Sequence, residues 1–325
     1  VFSEDKAEFE RKDGNLKTYT EVTVSQEDDA EIRKISITNN SSHVREVEVT
    51  SYLEVTLATY SADLVHPSFS NLFIETEFLK SPMCLMASRR PRTKGAEKNW
   101  LMQTAAVEGT QIGSVQYETS RENFIGRNRD ISNPKAMDND TQLTMTVGAV
   151  IDPIISLRVR MKIQPGKTCR IAYSVAVSNS REKIIDLAEK YGNMGNINRI
   201  FELSKNEMNM QTQYLGLKAS RISMYQIMAS RILFLNRLLK DRSKHIMNIQ
   251  KGQSSLWPYG ISGDLPIILL ITRNKKDIYL VRQILCAHEY WGLKGLKVDL
   301  VILNLEGNSY VQPMQNEINE LIDSS

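Results

Sequence analysis

Between Val47 and Leu57 the chain alternates residue by residue. Val47, Val49, Ser51, Leu53, Val55 and Leu57 fall on one side, and Glu48, Thr50, Tyr52, Glu54 and Thr56 on the other. A period of two sends successive side chains to opposite faces of a strand, so this stretch predicts a half-buried β-strand. The same period returns at Leu157, Val159, Met161 and Ile163, set against Arg158, Arg160 and Lys162, and again at Cys169, Ile171, Tyr173, Val175 and Val177. Pro165-Gly166 separates these last two runs and predicts a hairpin. Asn39-Asn40-Ser41-Ser42 predicts a similar reversal after Ile35 and Ile37, because Asn tolerates turn conformations. Several such strands with no helical period between them imply antiparallel sheets, and residues 1–178 are enough for two sheets stacked as a sandwich.

At Ser180 the period changes. Ser178-Asn179-Ser180 can cap a helix carrying Ile184, Ile185, Leu187, Ala188 and Tyr191, which Gly192 stops. Helices are predicted over 196–215 and 219–242, the second with Ile222, Tyr225, Ala229, Ile232, Leu233 and Leu239 near spacings of three and four. Residues 179–250 thus read as linker helices. From 251 to 325 the texture is α/β. Leu265–Ile271 and Val298–Leu303 are expected as buried strands around a helix over Asp277–Trp291, a βαβ unit with parallel pairing, and Met314–Ile322 as a last helix. Two strands make a poor sheet, so this α/β segment is expected to be incomplete. The fold class is therefore α+β: an antiparallel β-sandwich, then linker helices, then a small βαβ segment.

Composition closes off several functions. The 41 basic and 38 acidic residues are scattered and leave a net charge of only +3, so no field suited to nucleic acid or anionic lipid is expected. The three cysteines, Cys84, Cys169 and Cys286, are far apart and odd in number, which argues against a disulfide framework or a zinc site and favours a reducing, cytoplasmic setting. The longest apolar run, Leu265 to Ile271, is far below the ~20 residues of a membrane span. Val1 is not Met and no basic-then-apolar leader follows, so the chain is expected to start inside a longer polypeptide.

Four stretches carry residue types suited to chemistry. Asp138-Asn139-Asp140 has the spacing with which a glycosyltransferase can hold a divalent metal, although its polar inter-strand setting also fits plain turn geometry. Arg89, Arg90 and Arg92 make the densest basic run and suit an oxyanion or a solvated loop. His288, Glu289, Tyr290 and Trp291 combine an imidazole, a carboxylate and two rings, but helical spacing puts His288 with Val281, Ile284 and Leu285 on an apolar face, as a packing histidine. Leu256 to Pro266 concentrates Trp257, Tyr259, Gly260, Gly263 and the lone carboxylate Asp264 ahead of a strand. That density fits a ligand contact or a rigid joint with Asp264 bonded to main-chain amides. No metal ligands or cofactor residues assemble from these stretches.

Leu256-Trp257 with Gly260-Ile261-Ser262-Gly263-Asp264-Leu265-Pro266-Ile267, Ala287-His288-Glu289-Tyr290-Trp291 and Val298-Asp299-Leu300-Val301-Ile302-Leu303-Asn304 resemble cyclic β-1,2-glucan synthases and the related β-1,2-oligoglucan phosphorylases of the family 94 type. The likeness reaches back through Arg89-Arg90-Pro91-Arg92, His66-Pro67, Val49-Thr50-Ser51-Tyr52 and Phe2-Ser3-Glu4. It implies a sandwich of the supersandwich type lying ahead of an α/α-barrel that does the chemistry. The Trp-Asn-Asp-Gly-like run that holds that family's general acid has no match here, so no catalytic residue carries over. The resemblance therefore implies a non-catalytic, carbohydrate-facing part of a β-1,2-glucan-processing enzyme, with a β-glucan oligosaccharide and the catalytic barrel as partners and a parent that is potentially membrane-associated. Its candidate residues are Trp257, Tyr259, Asp264, His288, Glu289, Trp291 and Tyr310, with Arg89, Arg90 and Arg92. Two other functions remain open at this stage: a stand-alone carbohydrate-binding module stacking sugars on Trp100, Trp257, Tyr259 or Tyr310, and a metal-dependent glycosyltransferase using Asp138 and Asp140.

Overall fold

The computed structural model describes residues 1–91, 95, 98–234, 247–306 and 312–324. They divide into two compact units, Val1–Met208 and Asn209–Ser325. Among the described residues no helix is long and apolar enough to cross a membrane.

The first unit holds two antiparallel sheets. The larger runs in the order Ala7–Asp13, Leu16–Val24, Ala30–Asn39, Thr168–Ser178, Trp100–Glu108, Met83–Arg89, Ile74–Lys80 and Gly148–Ala149. The smaller is centred on Pro153–Ile163, which pairs with Gln116–Ser120, Arg45–Thr50, Leu53–Glu54 and Thr110–Gln111. Alternation decides what each face meets. Leu85, Ala87, Ile171 and Tyr173 of the large sheet close on Leu157, Val159, Met161 and Ile163 of the small one. The opposite face of the large sheet offers Ala172, Ala176 and Ala106, small residues that let a helix come close. Ile184, Leu187, Ala188 and Tyr191 of the helix Arg181–Tyr191 fill that face, followed by Ile197 and Ile200. The helix starts where Ser180 accepts a hydrogen bond from the Lys183 amide, as its sequence predicts. The α+β class and the supersandwich architecture are thus present.

Two local readings need correction. Pro153–Ile163 and Thr168–Ser178 are joined tightly but do not pair; they lie in different sheets, so the predicted hairpin is an arch. In a hairpin both apolar rows would face the same way, whereas here they face each other across the core. The stretch before Arg45 is a second arch, because Ala30–Asn39 belongs to the large sheet and Arg45–Thr50 to the small one. The second correction concerns Arg158, expected among outward polar positions. It is 3% exposed, covered by the irregular chain between Gly126 and Val147. The strand predicted from Val47 is interrupted at Ser51. There the Ser51 hydroxyl accepts the Leu157 amide at 2.9 Å, and register resumes with Leu53 opposite Ile155.

In the second unit Ile267–Thr272 and Asp299–Asn304 pair in parallel, as a βαβ unit requires, with the helix Ile278–Leu293 between them in sequence. Trp291, Tyr290, Ala287 and Ile284 pack with Ile222 and Tyr225 of the helix Ala219–Leu233, and Val281 packs with Met314 and Ile318 of the helix Pro313–Asp323. The strands are not buried on both faces as their apolar runs predict. Ile267, Leu269 and Ile271 are 42%, 54% and 43% exposed, because the described helices cover one face only. Leu239 lies outside the described residues.

Candidate functional site

The Gln253–Asp264 stretch of the second unit is held by bonds within itself. Gly260 and Gly263 both hold positive φ, +72° and +78°, and a Cβ on Gly263 would stand 2.8 Å from Gln253 Cγ. Only glycine fits that close approach. Gln253 Nε2 then donates at 2.9 Å both to the Ser262 carbonyl and to Asp264 Oδ1. Asp264 is therefore held by a side-chain amide, not by the main-chain amides expected. With its backbone path fixed, the loop leaves the rings of Trp257 and Tyr259 63% and 78% exposed. Two outward aromatic rings on a stiffened backbone suit stacking on an apolar face of a ligand at low entropic cost.

The helix Ile278–Leu293 resolves its candidates differently. Trp291 is 1% exposed and its indole N–H donates to the Tyr225 carbonyl at 3.0 Å, so it is a core residue with no face for a sugar. His288 is exposed instead of sitting on the apolar face, which Val281, Ile284 and Ala287 form; its Nε2 lies 3.2 Å from the Val298 carbonyl. The helical phase had placed His288 one position too far inward. Glu289 is half-buried. Tyr310 and Arg92 lie outside the described residues.

Arg89 ends its strand by donating to the carbonyls of Thr56 and Ser70 at 3.2 and 3.0 Å, and lies with Arg90 over the Phe73 ring, at 5.6 and 5.8 Å from its centroid. The Arg89 bond to Ser70 ties the short helix Pro67–Asn71 to the large sheet. Asp138 is paired with Arg129 at 2.7 Å, and Asp140 adopts φ +60°, so the two carboxylates serve a turn. Among the described residues no group of three or more His, Cys, Asp or Glu could hold a metal ion.

A cleft of about 530 Å³ opens beside them, lined by Arg121, Glu122, Asn123, Arg129 and Asp152 among others. Three of its charged side chains are already engaged: Arg129 with Asp138, Arg121 with Glu54 at 3.1 Å and Asp152 at 3.6 Å, and Asp152 also with the Asn71 amide at 3.1 Å. Next to it lies a buried carboxylate that sequence reasoning missed. Glu118 is 1% exposed, and accepts from the amides of Thr119 and Ser120 at 3.0 Å and from the hydroxyls of Thr144 and Thr146 at 2.5 and 2.6 Å. Burial alone would raise its pKa, but these donors outweigh it and hold the carboxyl below its ordinary value. Asp138 is likewise lowered, by its bond to Arg129. A general acid needs the opposite shift. The run Thr141 to Thr146 was the available signal, since hydroxyls on alternate residues can converge on one acceptor.

The description "Glycosyl hydrolase 94, supersandwich domain" matches residues 1–194, well over half of the chain. The chain belongs to that family. It is 29% identical over 326 residues to the cyclic beta-(1,2)-glucan synthase NdvB of Rhizobium meliloti (strain 1021), a match that covers 99% of this chain and 11% of that protein. The chain thus spans about one ninth of that relative's length. Among solved structures, a putative kojibiose phosphorylase from human microbiome aligns with TM-score 0.36 at 8% identity, over 64% of this chain and 23% of that one. The polysaccharide lyase BACCELL_00875 aligns with TM-score 0.33 at 13% identity, over 57% and 23%.

Proposed function

We propose that this chain is a non-catalytic, carbohydrate-facing module of a β-1,2-glucan-processing enzyme, whose bond-breaking groups lie in an α/α-barrel elsewhere in the parent polypeptide. The observation that carries this reading is the pairing of a supersandwich family match with 29% identity to a cyclic β-1,2-glucan synthase along 99% of the chain. The state of the acids supports it. Cleavage of a glycosidic bond by phosphate needs a protonated carboxyl at the leaving oxygen, whereas Glu118 and Asp138 are held ionised. The free thiols Cys84, Cys169 and Cys286 support a reducing, cytoplasmic setting. The test is direct. Purified chain incubated with β-1,2-glucan and inorganic phosphate is expected to release no glucose 1-phosphate; release at a rate proportional to protein overturns the reading.

A second reading, an autonomous carbohydrate-binding module, is favoured by the exposure of Trp257 and Tyr259. It requires calorimetric binding of β-1,2-glucooligosaccharides that Trp257→Ala removes.

A further inference from the structure

A groove of about 510 Å³ in the first unit is lined by Asp29, Leu57, Ala58, Thr59, Asn99, Trp100, Val177, Ser178 and Asn179. Its volume falls in the range of ordinary small-ligand sites. Trp100 begins a strand of the large sheet. It is half-buried, packed against the core under the helix Arg181–Tyr191, and so presents a ring whose position is set by the fold. Around it stand groups that have no side-chain partner among the described residues: the amides of Asn99 and Asn179 and the carboxylate of Asp29. The described cations near the ring are already paired. Lys98, 4.4 Å from the ring centroid, meets Glu75 at 3.9 Å, and Arg181, 5.8 Å from it, meets Glu77 at 2.5 Å. Among the described residues no other cation stands over the ring.

An apolar ring face bordered by two amides and a carboxylate is complementary to a molecule with C–H faces and hydroxyl edges. The amides both donate and accept, and the carboxylate accepts from two hydroxyls at once. Tyr60, next in the chain to the lining residue Thr59, is 81% exposed and extends aromatic surface along the same loop. We propose that the Trp100 groove is a binding site for a neutral oligosaccharide, with Trp100 as stacking platform and Asn99, Asn179 and Asp29 reading hydroxyls. That the oligosaccharide is a β-1,2-glucan rests on the function proposed above; that it is a saccharide rests on the groove.

The experiment is calorimetry and Trp fluorescence on the full chain carrying Trp257→Phe, titrated with β-1,2-glucooligosaccharides and, in parallel, with β-1,4- and α-1,4-linked ones. Saturable binding is expected, weakened at least about tenfold by Trp100→Ala and by Asn179→Ala. Because Trp100 also touches the core, the exposed Asn179→Ala is the variant that keeps the test sound should Trp100→Ala fail to fold. Binding of an α-1,4- or β-1,4-linked sugar that Asn179→Ala weakens keeps the site and removes the β-1,2-glucan reading. Binding of β-1,2-glucooligosaccharides that survives Asn179→Ala removes the site and leaves that reading standing. No binding of any of the three overturns the proposal.

Discussion

The Asn39 side-chain amide donates to the Ile163 carbonyl at 3.0 Å and so ties together the two arches that carry the chain from one sheet to the other. Asn39 is fully buried, and every polar atom of it is used: Nδ2 also reaches the His43 carbonyl at 2.7 Å, Oδ1 accepts from the Ser41 amide and hydroxyl, the backbone N–H donates to Lys167, and the carbonyl accepts from Gly166. Replacing it by Ala takes the donor from the buried Ile163 carbonyl and the acceptor from the buried Ser41 amide. Asn39→Ala is expected to cost on the order of 2–4 kcal/mol, read as a drop in urea midpoint at unchanged slope. A change within ~0.5 kcal/mol would show that water takes over these bonds.

Glu118 predicts a pH dependence. Its folded pKa lies below the unfolded value near 4.5, so its contribution is fully present above pH 4.5 and is lost as pH falls through the folded value. Glu118→Gln presents an amide N–H₂ to groups that are themselves donors. It is expected to lower stability at pH 7 by about 2–3 kcal/mol. The gap between wild type and variant should narrow below pH 4.5, and a gap that stays constant to pH 3 would contradict the sign.

Arg158 secures the other side of the same covering loop. Its Nε donates to Thr50 Oγ1 at 2.9 Å, Nη1 to the Thr141 carbonyl at 2.6 Å, and Nη2 to the Ala136 carbonyl. Burial lowers its pKa. Arg158→Leu leaves the carbonyls without donors. Hydrogen exchange of residues 126–147 is expected to rise at least tenfold, with a stability loss of about 2–4 kcal/mol. Unchanged exchange there would mean the loop is held by its other contacts.

Trp291 and Trp257 should separate spectroscopically, because one is 1% and the other 63% exposed. Trp291→Phe removes the donor to Tyr225 and leaves a void, at a cost of about 1–3 kcal/mol. It should shift the remaining emission to the red. Trp257→Phe is expected to shift it to the blue at no measurable cost in stability.

The open face of the two-stranded sheet makes a contrasting prediction. Leu269 is 54% exposed, so Leu269→Ser is expected to change the stability of the isolated chain by no more than ~0.5 kcal/mol. A loss above 2 kcal/mol would show that this face is covered in solution.

Much of the fold is legible in the residues because period is a local property. Alternation at Leu157–Ile163 and Cys169–Val175, the Ser180 cap, and the parallel pair around Ile278–Leu293 all follow from which neighbour is apolar. The candidate site was only partly legible. Trp257 and Tyr259 stand out by local density, and the structure leaves them exposed. Trp291, equally conspicuous, is core, since whether a ring is buried depends on a helix about sixty residues earlier that supplies Tyr225.

By itself the sequence determined the elements, their order and the supersandwich family to which they belong. Only the tertiary structure decided that Pro153–Ile163 and Thr168–Ser178 join opposite sheets, that Arg158 and Glu118 are buried beneath one loop, and that Trp100 borders a groove. The reason is physical. A strand's period states which face must be covered, but which surface covers it is settled by long-range packing, where every apolar row and every buried charge has to find its partner at once.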